Sequence, residues 1–177
     1  MFRVTRRRLA AISLFVAGAF MTTACAGEVG AAAVVDGKRI EVSTVQDALQ
    51  DLDEITDGLT QTDILGLLIV EPIWVGLGAE RGVGFTDQEV ETMLGSVVAE
   101  AGLENREFSQ GAIDVLRTDL VISSLLNGPD GQEVVAEIQE RVEAADIESN
   151  PRFGEFTADR GLNPVAPTWI VDSPPNP

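Results

Sequence analysis

From Ile64 to Leu77 the residues are apolar on nearly every side of the helix they would form. A helix that is apolar all round belongs inside a protein core or a membrane. Glu71 and Pro72 in its middle, and a length nearer 14 residues than 20, favour the core. This segment therefore predicts a helix buried in the core of the domain. Pro72 removes a backbone donor, so it is expected to kink the helix or divide it in two.

The flanking sequence supplies the other elements. Ala33 to Ile40 sets two short apolar stretches around Asp36-Gly37, the dipeptide suited to a type I′ turn, and predicts a small hairpin. Ser43-Thr44-Val45-Gln46 has a capping-box pattern, and Val45, Leu49, Leu52 and Ile55 recur at helical spacing, giving a first helix over 43–56. Gly58 ends it, and Thr60 or Thr62 caps the apolar helix that follows. Thr86 to Glu89 is a second capping box ahead of Val90, Met93, Leu94, Val97 and Val98, with a helix running to Ala101. Another spans 109–126, with Ile113, Leu116, Leu120 and Leu125 on its apolar face and Asn127-Gly128-Pro129 as its stop. The last begins near Pro129-Asp130, carries Val134, Val135, Ile138 and Val142, and sets Glu137 four residues before Arg141. Asp146 to Ser149 reads as a short strand whose one obvious partner is the hairpin. From Asn150 onward Pro, Gly and Asn dominate, so order is expected to fade. The fold class is mainly α, a helical bundle with a small β clasp in which an N-terminal hairpin pairs with a C-terminal strand.

The first 25 residues have a different character. Arg3 and Arg6 to Arg8 precede an apolar run from Leu9 to Phe20 and the small residues Thr22-Thr23-Ala24, which is the layout of a signal peptide over 1–24. Twelve apolar residues make a helix of roughly 18 Å, short of the ~30 Å hydrocarbon core. Thr5 to Leu9 also resembles a twin-arginine signal, which leaves the export route open. Cys25 is the single cysteine, and a lone thiol in an exported protein is a liability unless something caps it. Met21 to Cys25 looks like a bacterial lipobox, although Thr22 stands where leucine is usual. Cleavage between Ala24 and Cys25 would then leave Cys25 as a lipid-modified first residue, carrying diacylglycerol and a further acyl chain such as palmitate. The alternative is a chance cysteine beside an ordinary cleavage site. Acyl chains at ~0.8 kcal/mol per buried CH₂ anchor a protein stably. The expected place is the outer face of the cell membrane, with 25–32 as a lipidated tether.

Charge narrows the partners. Four of the 12 basic residues lie in the first 24 positions with no acid beside them, so the rest carries 8 basic residues against 29 acids. A charge of -21 there repels nucleic acid and anionic lipid alike. No histidine is present, so Ser-His-Asp and Cys-His sites cannot be assembled, and metal centres of His and Cys are excluded with them. Asp51, Asp53 and Asp57 depart from the EF-hand pattern and read as a solvated helix face. Gly76-Leu77-Gly78-Ala79-Glu80-Arg81-Gly82 has its last glycine one residue late for a dinucleotide loop, and no strand precedes it. No catalytic residue, cofactor or metal is expected. Trp74 and Met93 read as core. Trp169-Ile170-Val171 is an apolar triplet in a polar tail, expected to dock on the domain or meet a partner.

The order of parts resembles the SurA-type N-terminal chaperone domain. Val35-Asp36-Gly37-Lys38-Arg39-Ile40 fits its V-x-G-x-x-I opening, several helices follow, and Ile147 to Gly154 fits its returning strand. That last stretch, with Trp169 after it, is similar to exported actinobacterial lipoproteins of this class. The resemblance implies a helical domain over 33–154, a Pro-rich flexible tail over 155–177, and binding of unfolded or exported polypeptides as extended apolar segments between helices. Many relatives add a parvulin-type prolyl isomerase domain; too few residues follow Arg152 for one, so chaperone-like binding without isomerase activity is expected. The other expectation is an interaction lipoprotein dedicated to one surface partner.

Overall fold

The computed structural model of the chain describes residues 30–104 and 106–163. The expected hairpin forms from β1 (Ala31–Val35) and β2 (Lys38–Glu41). Asp36 and Gly37 both take left-handed backbone angles, φ 49° and 77°, as a type I′ turn requires. β3 (Ile147–Ser149) adds to the other edge of β1, with Val35 opposite Ile147 and Ala33 opposite Ser149, giving the order β2-β1-β3. Residues over 110 positions apart are thus joined. The Asp36 amide donates to the Asp146 carbonyl at 2.8 Å, and the Asp146 amide donates to the Asp36 carboxylate at 2.9 Å. The Asn150 side chain donates to the Ala31 carbonyl at 3.0 Å, closing the same seam from its other end.

β1 is the central strand and is almost wholly buried, which accounts for its run of alanines. Ala31 and Ala32 are core residues, so the expected 25–32 tether overlaps the first strand by two residues.

Five helices fill the sequence between β2 and β3. α1 (Val42–Leu52) follows β2 without a break. Ser43 is not its cap: the Val42 amide donates to the Gly30 carbonyl at 2.8 Å, so the neighbouring chain rather than a hydroxyl satisfies the helix start. The helix also stops at Leu52, short of the expected 56. α2 (Gln61–Glu80) opens on a capping box between Thr60 and Asp63 and runs unbroken through Pro72. Pro72, on an exposed side of the helix, does not divide it. α3 (Asp87–Glu100) starts with the capping box of Thr86 and Glu89. α4 (Gln110–Leu126) is capped by the Ser109 hydroxyl, and α5 (Gly131–Ala144) carries the expected Glu137–Arg141 ion pair at 2.6 Å.

α2 and α4 form the spine. A Cβ on Gly78 would lie 2.7 Å from the Val83 carbonyl and 2.8 Å from Val121, so only glycine lets these helices approach so closely. One core gathers β1, α1, α3 and the first half of α2 around Ile64, Leu65 and Ile69. A second gathers α5 with the later halves of α2 and α4, around Ile73, Leu77, Val121 and Val134. Arg117 is nearly buried between α3 and α4, paired with Asp114 at 2.6 Å and with Asp87, and its Nε donates to the Phe85 carbonyl.

Beyond β3 the chain stays ordered for longer than its composition suggests. Phe153 is buried in the first core, and β4 (Glu155–Thr157) pairs antiparallel with β5 (Gly161–Asn163). The first nine residues of the expected 155–177 tail are therefore a hairpin, which packs on α2.

Candidate functional site

α2 is not apolar all round for the core alone. Its buried stripe is Ile64, Leu65, Leu68, Ile69, Ile73 and Leu77. A second stripe, Leu67, Val70 and Trp74, lies three and then four residues apart and is half-buried. This stripe forms one wall of an open groove of about 510 Å³. Ile138 and Val142 of α5 form the opposite wall, and Phe156 and Leu162 of the β4–β5 hairpin close one side. By length and composition α2 is also the one helix among the described residues that could cross a membrane. Its two stripes place that apolar content against the core and the groove.

The groove is held to shape by polar contacts outside it. Arg141 of α5 bonds Glu80 at the end of α2 at 2.6 and 3.0 Å, while Arg81 bonds Glu137 at 2.6 Å. These bonds hold the carboxyls of Glu80 and Glu137 below the usual carboxylate range, through Arg141 for the first and through Arg81 and then Arg141 for the second. The Thr62 and Asp63 side chains are the polar ones in the lining, and Asp63 is already committed to the Thr60 amide at 3.0 Å and hydroxyl at 2.7 Å. The lining therefore suits contact with apolar side chains; it supplies no nucleophile paired with a base.

A smaller cavity of about 110 Å³ lies between the hairpin, α2 and α4, with Lys38, Glu71 and Asp114 on its walls. Burial, and then the charge of Asp114, raise the Glu71 carboxyl above its ordinary range, against the pull of Lys38 and Arg117.

The residues singled out by sequence distribute unevenly. Ala24, Cys25 and Trp169 lie outside the described residues. Trp74 packs partly buried against the second core, as expected, and its open side lines the groove. Met93 is 42% exposed and Val97 44%, so the core face of α3 is narrower than expected and consists of Val90, Leu94 and Val98. α3 packs on α4 along one side only, which leaves Met93 and Val97 open. Val135 is likewise exposed on α5. Asp51 is no solvated helix acid: it accepts from the Ser109 amide at 2.7 Å and so fixes α1 against the start of α4. Gly76 and Gly78 lie within α2, where Gly78 serves helix contact. Among the described residues no three of His, Cys, Asp and Glu gather as a metal-holding group.

Sequence reasoning missed Phe156 and Leu162, although their alternation across Ala158-Asp159-Arg160-Gly161 carries a weak hairpin signal. No known protein family, curated protein or solved structure matches the chain.

Proposed function

We propose that this chain is an exported lipoprotein, tethered through acylated Cys25 outside the cell membrane, that binds extended apolar segments of unfolded exported polypeptides in the groove between α2, α5 and the β4–β5 hairpin. The observation that carries this reading is the second stripe of α2. Leu67, Val70 and Trp74 stay partly exposed along the groove although the helix already has a fully buried core stripe, and the surface they leave open is available for contact. The hairpin, the helices and the strand that returns to the hairpin are the parts the SurA-type resemblance calls for, and they support a chaperone-like role. A strongly acidic exterior keeps an open apolar groove soluble. Binding here needs no catalysis, cofactor or isomerase, and the charge turns nucleic acid away.

Aggregation of an unfolded exported protein tests it, using the chain from residue 25 with Cys25→Ser so that no lipid interferes. Suppression at near-stoichiometric ratios is the expected result, lost in Leu67→Glu/Val70→Glu. No suppression by a chain that circular dichroism shows to be folded would overturn the proposal. A dedicated-partner lipoprotein is the second reading, favoured by the exposed Met93 and Val97 on α3.

A further inference from the structure

The groove lies where the described chain ends. Gly161 and Leu162 of β5 line it, β5 closes at Asn163, and the sequence continues to Pro177. Trp169-Ile170-Val171 is the apolar triplet of that continuation, and Trp169 stands seven residues beyond Leu162. At ~3.4 Å per residue seven residues reach roughly 24 Å. Packed helices stand ~8–10 Å apart, so the triplet can cross the mouth of the groove and return to α2 without moving β5.

Chemistry favours the same pairing. The continuation carries one acid, Asp172, and no base, so the acidic exterior that repels most of this chain's own sequence repels it least. Pro164 and Pro167 restrict the spacer toward extended backbone, which reduces the entropy lost when it is ordered. In the groove, Trp74 and Phe156 offer aromatic surface to an incoming indole.

We infer that Trp169, Ile170 and Val171 dock in the groove of their own chain and cover it until a client displaces them. The inference rests on the groove being the client site. Its consequence is a binding surface that stays shielded at low client concentration, with the tail as an internal competitor.

Indole fluorescence tests it in the chain from residue 25 with Cys25→Ser and the whole tail retained. Trp74→Phe leaves Trp169 as the sole indole. Its emission is expected to be blue-shifted, and its quenching by acrylamide several-fold slower, relative to a peptide of residues 164–177, at all protein concentrations. Leu67→Glu/Val70→Glu returns both readings to the peptide values; Leu67→Ala/Val70→Ala serves if the glutamates unfold the chain. Peptide-like readings in the folded chain would overturn the inference. So would protection that the groove substitutions leave intact, or protection lost on dilution, which assigns the contact to a second copy.

A labelled apolar peptide supplies the second arm. Trp169→Ser/Ile170→Ser/Val171→Ser is expected to bind it about tenfold more tightly than the parent, the factor set by a groove covered nine-tenths of the time. Equal affinity would overturn the competition. A protected Trp169 in a chain that binds no peptide, with or without its tail triplet, would support the docked tail and remove the chaperone reading instead.

Discussion

α2 presents two apolar stripes to different neighbours. Ile64, Leu65, Leu68 and Ile69 meet β1, α1, α3 and α4 and are closed off from water, whereas Leu67, Val70 and Trp74 pack only partly buried against the edges of the two cores and turn their remaining surface to a groove. Both stripes are wholly apolar, so hydrophobicity does not separate them. What separates them is how many elements converge on each side. The core stripe has sheet and helices over it, while the other has a single helix and a three-residue hairpin strand pair. A helix can therefore look uniformly buried in sequence and still devote one side to binding.

The comparison can be broken most forcefully at its core side. Ile69→Ala is expected to cost about 3 kcal/mol, within the ~2–5 kcal/mol seen for deleting a fully buried branched side chain, and a urea unfolding curve reads it. Arg117→Ala belongs in the same range, about 3 kcal/mol, because it strands Asp114 and the Phe85 carbonyl at a nearly buried position. Val70→Ala is expected to lower stability by about 1 kcal/mol or less while weakening peptide binding several-fold. A Val70→Ala loss as large as that of Ile69→Ala would dissolve the distinction between the stripes.

Acidity gives smaller effects of opposite sign at the middle of α2 and at its junction with α5. The Glu71 carboxyl has a raised folded pKa, so its stabilising contribution is present below the ordinary carboxylate pKa and is lost as pH rises through the folded value. Glu71→Gln is accordingly expected to be more stable than the parent at neutral pH, with the difference closing in acid; thermal melts across pH check this. Glu80 and Glu137 behave the other way. Their folded pKa values are depressed, so the α2–α5 bonds contribute above the ordinary carboxylate pKa and fade as pH falls through the folded values. Arg141→Gln is expected to leave a slight destabilisation at neutral pH that disappears in acid, the smallest of these effects because the pair is exposed.

Much of the frame was legible because single residues carry strong local rules. Asp36-Gly37 announces its turn, Thr60 and Thr86 announce helix starts, and Asn127-Gly128-Pro129 announces a stop. The strand at Ile147–Ser149 was found because the hairpin needed a partner. Other features depend on contacts that sequence does not display. Ser43 fits a capping box, yet the Gly30 carbonyl reached the helix start first. Gln61, Thr62 and Asp63 at one end and Ala79 and Glu80 at the other extend α2 past its apolar run, since a helix continues wherever caps permit. Strands of three residues in β4 and β5 are too short for alternation to outweigh their Gly and Asn, so an ordered hairpin read as a fading tail. The groove itself was illegible because it needs α2, α5 and that hairpin together.

A photo-crosslinking side chain placed at Val70, compared with one at Val97, tests the central claim most directly, since both are valines on helix surfaces and only the first lies in the groove, although the second is the more exposed. With an unfolded exported protein present, the account predicts a covalent adduct from position 70 and none from position 97. Capture from position 97 alone, or from neither in a folded chain, would contradict it.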